Sequence, residues 1–263
     1  MNYLTDLGRW FFAIGMAVFG VQYVGYGRFV GGLPPWTPGG AVGAYLVGVV
    51  LIAASVSIAI KKEGRLSATV VGALFLLCVV FLHMLRASAV VHDGVARTRA
   101  FEPLALSGAA FVLAALLPAE GEGGSSWDMG KLILLGRLLF AIPMVIFGVQ
   151  HFMYAAFIAT LIPGWIPGHA FWTYFTGVGF VAAGVAITFG VLAGLAASLL
   201  GLMFLLWVVV LHAPRVIAQP HNGDELSSLF VALALGGGSF VVAGALAKDA
   251  RSLWQGEKPA LGG

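Results

Sequence analysis

The chain has 263 residues, of which 60% are hydrophobic and only 10% are charged. An ordinary soluble domain carries about 25% charged residues, and no soluble core of this size could bury so much apolar surface. The net charge is +3, and the basic residues do not form the patch that binds nucleic acid. The composition therefore predicts an all-α integral membrane protein in a lipid bilayer and excludes a nucleic-acid-binding domain.

Long apolar runs predict eight transmembrane helices, because a run of about 20 residues crosses a bilayer. The first four helices fall at about residues 8–26, 41–60, 66–85 and 101–117. The second four fall at about residues 131–152, 169–189, 194–211 and 226–247. Residues 119–131 form an acidic linker rich in Gly and Ser. The sequence thus predicts two four-helix units, over residues 1–118 and 132–263.

The two halves repeat one another, which makes a tandem parallel arrangement the most informative prediction of the sequence. The motif Gly-Arg-x-x-Phe-Ala-Ile occurs at residues 8–14 and 136–142, and Phe-Gly-Val-Gln occurs at residues 19–22 and 147–150. Leu-His occurs at residues 82–83 and 211–212. Because each unit has an even number of helices, both copies insert the same way up. Matching residues are then expected at the same depth in the membrane.

The basic residues predict the orientation of the helices. Nine of the 14 Lys and Arg residues fall on the side of the two termini. This bias predicts that both termini are cytoplasmic, in a bacterial inner membrane. All six histidines fall on or near the opposite, outer side. We therefore expect any functional site to open outward.

Matched polar residues near the outer helix ends form the candidate ligand site. Ionisable residues inside a membrane are costly and indicate function by default. Gly72 and Gly201 lie eleven residues before a histidine on the same helix face, and small residues mark helix contacts, so both histidines are expected to face inward. The candidate ligand-binding residues are His83, His212, Tyr45, Tyr174, Gln22, Gln150, Arg86, Arg215, Trp36 and Trp165.

Several interpretations of these residues stay open. The histidines could hydrogen-bond between helices, and the Trp and Tyr residues could form an interfacial belt. Two histidines at equal depth would suit a b-type haem with His83 and His212 as axial ligands. A quinone headgroup would accept hydrogen bonds from His, Tyr or Gln and pack against aromatic rings. A cluster of histidines could also hold copper or zinc, although the sequence has neither an HxxxH spacing nor cysteine partners to support such a site.

Several of these stretches resemble the DoxX-like family of membrane proteins. The Gly-Arg-x-x-Phe-Ala-Ile opening of each half and Phe-Gly-Val-Gln-His at residues 147–151 carry the resemblance. Its clearest part is Ile-Pro-Gly-Trp-Ile-Pro-Gly-His-Ala-Phe-Trp-Thr-Tyr-Phe-Thr-Gly at residues 162–177. The family is a four-helix membrane unit related to the DoxD subunit of thiosulfate:quinone oxidoreductase. This chain departs from it by fusing two units and by reading Val-Gln-Tyr, not Val-Gln-His, in its first half.

The resemblance implies a membrane subunit that passes electrons to quinone, usually beside other subunits of a redox complex. No catalytic residue set carries over, so the candidate residues rest on the repeat and the topology. The leading hypothesis is a redox-associated subunit that binds quinone at an outward-facing site. A haem-bearing electron carrier, a small-molecule transporter and a structural subunit of a larger complex stay open. Against a transporter, the sequence predicts no acidic residue at mid-membrane and no proline in mid-helix apart from Pro143.

Overall fold

The computed structural model describes residues 2–30, 39–83, 92–119 and 128–254, without the side chains of residues 82–83 and 248–254. Within these ranges the elements are helical, and no strand forms. Eight of the described helices are long and apolar enough to cross a membrane. The structure thereby confirms the all-α membrane fold that the composition predicts.

The helices of the described residues follow one another as ten elements. These are α1 (Tyr3–Tyr26), α2 (Gly40–Ile60), α3 (Gly64–Cys78), α4 (Gly94–Leu116), α5 (Met129–Met153), α6 (Ala155–Leu161), α7 (His169–Phe189), α8 (Ala193–Trp207), α9 (Ala213–Ala218) and α10 (Gly223–Trp254). A π-helical turn extends α3 over Val79–His83, and another extends α8 over Val208–His212. Such turns are rare in proteins as a whole, and those that occur often lie at functional sites.

Three local features differ from the sequence prediction. Helix α4 begins at Gly94, well before the predicted start, because the side chain of Asp93 accepts a hydrogen bond from the amide of Val95 and caps the helix. The helical span that begins with α8 continues past Pro214, which lies in the first turn of α9, where a proline is tolerated. The short helix α6 forms where a loop is predicted.

Neighbouring helices pack in chain order, and the last one packs against the first. Helix α1 contacts α2 and α10, α3 contacts α2 and α4, α5 contacts α4 and α7, and α8 contacts α7 and α10. Helices α4 and α10 also contact each other and are the most buried of the membrane spans. The core therefore lies along these two helices, and the other spans surround them with outward-facing apolar sides.

The closest helix contacts occur in pairs at glycines. Gly108 of α4 lies against Gly136 of α5, and Gly237 of α10 lies against Gly8 of α1. A methyl group added to Gly108 would lie 2.5 Å from the carbonyl oxygen of Gly136, and one added to Gly237 would lie 2.7 Å from that of Gly8. Glycine lets helix backbones approach closely in a membrane. These contacts join the first helix of each half to the last helix of the other.

The glycines that precede the two matched histidines also lie at helix contacts. Gly72 of α3 faces the ring of Phe111, and Gly201 of α8 faces the ring of Phe240. The prediction that Gly72 and Gly201 mark helix contacts is confirmed. The duplication that relates the two halves stays a prediction.

Two arginines hold together the end of the bundle where the chain begins. Arg9 is 4% exposed and donates hydrogen bonds to the carbonyl oxygens of Ile58, at 3.0 Å, and Ala59. Arg137 makes the corresponding bond to the carbonyl oxygen of Thr188 at 3.4 Å. Arginine near a helix C-terminus satisfies carbonyl groups that have no partner within the helix. Each arginine therefore fastens the first helix of its half to the end of the second.

Candidate ligand-binding site

A cavity lies at the end of the bundle where α1 and α5 finish and α4, α7 and α10 begin; we call this end the histidine end. Its volume is about 620 Å³, which lies within the usual range for small-molecule sites. The walls come from α4, α5, α6, α7, α8 with its π-helical turn, and α10. Helix α4 belongs to the first half of the chain, and the other walls belong to the second.

The part of the cavity farthest from the histidine end is aromatic. Phe147, Phe180 and Phe204 line it. The ring of Phe180 meets that of Phe147 edge to face at 6.1 Å and that of Phe204 at 5.5 Å. The His151 ring lies 5.2 Å from the same Phe180 ring. These side chains offer a planar ligand both apolar surface and ring edges.

Gln150 bridges α5 and α4 at the cavity wall. Its Nε2 donates hydrogen bonds to the carbonyl oxygen of Gly94 at 2.8 Å and to Oγ1 of Thr98 at 3.2 Å. The side chain is buried and lines the cavity together with both of its partners. Gln150 is therefore a predicted site residue that the structure places at the cavity, where it also joins two helices.

Gln22 makes the corresponding contacts between α1 and α10. Its Nε2 donates to the carbonyl oxygen of Gly223 at 3.1 Å, and its Oε1 accepts from Oγ of Ser227 at 3.2 Å. Although Ser227 lines the cavity, Gln22 is not among the described residues that do so. In this structure Gln22 acts as an interhelical contact.

His212 is the predicted residue with the most informative environment. It ends the π-helical turn after α8 and lines the cavity. Its Nδ1 is buried and has no hydrogen-bond partner among the described residues. Buried polar atoms normally have a partner, so a ligand that hydrogen-bonds to Nδ1 would stabilise this side chain.

His83 ends the matching π-helical turn after α3. Its side chain lies outside the described part of the structure, as do Arg86 and Trp36. The pairing of His83 with His212 as haem ligands therefore stays a prediction. Two histidines that the structure does bring to one cavity are His151 and His212.

Two charged cavity residues, Arg99 and Glu102 of α4, are absent from the sequence-based set. They lie three residues apart, which places them on one helix face. Because α4 begins at Gly94, Glu102 lies about 12 Å along the helix axis from that start, within a membrane span. The predicted start of this helix was about residue 101, so Arg99 fell in the preceding loop and Glu102 fell at the helix end. The capping residue Asp93, directly before a glycine, was the signal that could have found them.

The tyrosines predicted to line the pocket project away from it. Tyr45 is 46% exposed and Tyr174 is 47% exposed, and Tyr174 stacks on Phe152 with ring centroids 5.9 Å apart. Thr173 and Thr176 of α7 line the cavity. Since a helix turns about 100° per residue, Tyr174 lies on a different face. Periodicity alone could not decide which face meets the cavity.

Two further predicted residues lie at the histidine end without lining this cavity. Trp165 is 72% exposed, as expected for a loop residue at a membrane surface. Arg215 forms a 2.7 Å ion pair with Glu225 of α10. This ion pair joins the end of the α8–α9 span to the start of α10 and gives Arg215 a structural partner.

Comparisons with known proteins add no family assignment. A scan against protein-family models finds no matching family, and searches of curated proteins and of solved structures find no match either. The resemblance to DoxX-like proteins therefore stays a prediction. Within the part of the chain that the structure describes, no cluster of three or more His, Cys, Asp or Glu side chains could hold a metal ion.

Proposed function

We propose that the chain binds a small amphipathic ring compound of the quinone class in this cavity. The observation that carries the proposal is the side chain of His212, which lines a largely apolar cavity and whose buried Nδ1 has no hydrogen-bond partner among the described residues. In the tautomer with its proton on Nδ1, the imidazole donates a hydrogen bond to a ring carbonyl. Few polar groups among many apolar ones are typical of small-molecule sites.

Other wall residues fit the same ligand. The guanidinium of Arg99 has donors for a second carbonyl oxygen. The rings of Trp172 and Trp207 also line the cavity and provide faces against which a quinone ring packs.

The biological setting follows from the sequence-based predictions. The resemblance implies a membrane subunit of a quinone-linked oxidoreductase, in which a partner subunit supplies the electrons. With both termini in the cytoplasm, the histidine end and its cavity face the outer side of a bacterial inner membrane. The quinone would reach the cavity from the outer leaflet.

The proposal is tested by titrating decyl-benzoquinone into the protein in lipid nanodiscs. Tryptophan fluorescence reports binding because Trp172 and Trp207 line the cavity. His212→Leu is expected to weaken binding about tenfold, which corresponds to about 1.4 kcal/mol. The matched control is His221→Leu, since His221 is exposed at the same end of the bundle. Equal affinities of the two variants would contradict the role of His212.

An absorption spectrum before and after reduction with dithionite precedes this titration. Sharp reduced bands of a b-type haem would replace quinone with haem as the proposed ligand. His83 and His212 would then be the first residues to substitute. A spectrum without such bands leaves the quinone proposal in place.

Transport of a small molecule is a second candidate, which Glu102 favours. The sequence argued against transport because no acidic residue was expected at mid-membrane and no proline in mid-helix apart from Pro143. Glu102 and Pro103 both lie inside α4, and an ionisable residue within a span is typical of substrate or proton pathways. Substrate uptake into proteoliposomes that Glu102→Gln abolishes, together with no quinone binding, would favour a transporter.

A further inference from the structure

We infer that the ligand binds in the cavity walled by the second half of the chain and by α4, and that the described side chains of the first half fill the corresponding space there. The identity of the ligand rests on the proposed function. The difference between the halves rests on their packing alone. This inference decides whether a chain with two repeated halves has one site or two.

The first difference lies at the residue after each matched glutamine. The repeat aligns Tyr23 with His151, and His151 lines the cavity. Tyr23 is 6% exposed, and its ring packs edge to face against Phe29 with centroids 5.1 Å apart. The larger tyrosine ring and its aromatic neighbour therefore fill space that is open beside His151.

The chain also follows different paths after α1 and α5. After α1, Phe29 packs against the core and Val30 is 5% exposed. The repeat aligns these two residues with Phe157 and Ile158 of α6, which line the cavity. Phe157 is 61% exposed. The same stretch thus packs inward in the first half and forms a surface helix beside a cavity in the second.

The second helix of each half differs in polarity at the wall positions. Thr173 and Thr176 of α7 line the cavity. The aligned residues of α2 are Ala44, which is fully buried, and Val47. A ligand in the first half would therefore find no hydroxyl groups at these positions. Packing and polarity both assign the site to the second half.

The deeper charged groups of the cavity come from one of the two central helices. Glu102 of α4 aligns with Val231 of α10, and both line the cavity. Arg99 aligns with Ser228 in the same way. Helix α10 contributes Asp224 near its start. The first half therefore supplies Arg99 and Glu102 to a cavity whose other walls belong to the second half, so the cavity needs α4 as well as the second half.

The number of sites is tested by equilibrium titration with decyl-benzoquinone in nanodiscs. The wild type is expected to bind one molecule per chain. A variant that carries first-half residues in the cavity, with His151→Tyr, Thr173→Ala and Thr176→Val, is expected to lose saturable binding. Two molecules per wild-type chain, or one remaining molecule in the triple variant, would overturn the inference.

A second measurement needs no ligand. In a Cys78→Ala background, His151→Cys and Tyr23→Cys are treated with a water-soluble methanethiosulfonate reagent. The His151→Cys thiol is expected to react roughly tenfold faster or more, because thiol reactivity follows exposure. Replacing tyrosine by cysteine opens more space than replacing histidine by cysteine, which favours reaction of the Tyr23→Cys thiol. A faster reaction of the His151→Cys thiol would therefore occur in spite of this difference. Equal rates would overturn the inference, whereas failure of the wild type to bind quinone would overturn only the proposed function.

Discussion

The two buried glutamines provide a matched pair of variants that separates stability from ligand binding. Gln150 bonds to Gly94 and Thr98 across the α5–α4 contact, and Gln22 makes the corresponding bonds across the α1–α10 contact. Leucine has nearly the same volume as glutamine but cannot hydrogen-bond. Gln150→Leu and Gln22→Leu therefore remove equivalent interactions from opposite sides of the bundle.

The expected loss of stability follows from the number of bonds removed. Interhelical hydrogen bonds in membrane proteins contribute about 0.6 kcal/mol each on average. Each variant breaks bonds to two partner groups, so each is expected to lower the free energy of unfolding by about 1 kcal/mol. This difference is measured by unfolding the protein in mixed micelles with an increasing mole fraction of dodecyl sulfate and monitoring the helix content by circular dichroism. The two variants are expected to show closely similar losses in the free energy of unfolding.

Ligand binding is expected to distinguish the two variants. Because Gln150 lines the cavity, Gln150→Leu should weaken binding of decyl-benzoquinone about fivefold, which corresponds to about 1 kcal/mol. Gln22 does not line it, so Gln22→Leu should leave the affinity within about twofold. Equal losses of affinity would refute the assignment of the site to the second half. Unchanged stability of both variants would refute the role of the glutamines as interhelical contacts.

Three further substitutions test the packing and the charges of the bundle. Gly108→Ala places a methyl group 2.5 Å from the carbonyl oxygen of Gly136 and should lower the free energy of unfolding by about 1–3 kcal/mol. Arg9→Met removes charged hydrogen bonds to the end of α2 and should lower it by about 2 kcal/mol. Both are measured by dodecyl sulfate unfolding. Glu102→Gln replaces an ionisable side chain in a membrane span by a neutral one of the same shape and should preserve or raise stability in the same assay.

Two of these substitutions have a control in the same chain. A methyl group added to Gly25 meets no atom within 4 Å, so Gly25→Ala should leave stability within about 0.5 kcal/mol of the wild type. Lys62 is exposed, so Lys62→Met controls for the loss of a positive charge at the end of α2. For Glu102→Gln, a large loss of stability would contradict this expectation and indicate a structural role of the carboxyl group.

The sequence by itself determined the class of protein and most of its helices. Continuous apolar runs of about 20 residues cross a bilayer as helices, because a helix makes all its backbone hydrogen bonds within one segment, so composition and spacing were sufficient. Gly72 and Gly201 were found at helix contacts, because a small residue on an otherwise bulky apolar face leaves room for a neighbouring helix to approach. Placing His212 and Gln150 at the cavity needed only the assumption that a polar residue in a span points inward.

The tertiary structure alone decided which side chains share a cavity. The Asp93 cap sets the start of α4 and brings Glu102 inside the membrane span. The rotation of α7 directs Thr173, not Tyr174, toward the cavity. The chain packs inward after α1 but forms α6 after α5, although the repeat makes the two stretches similar. Such differences depend on contacts between distant segments, and a local pattern of residues carries no information about those contacts.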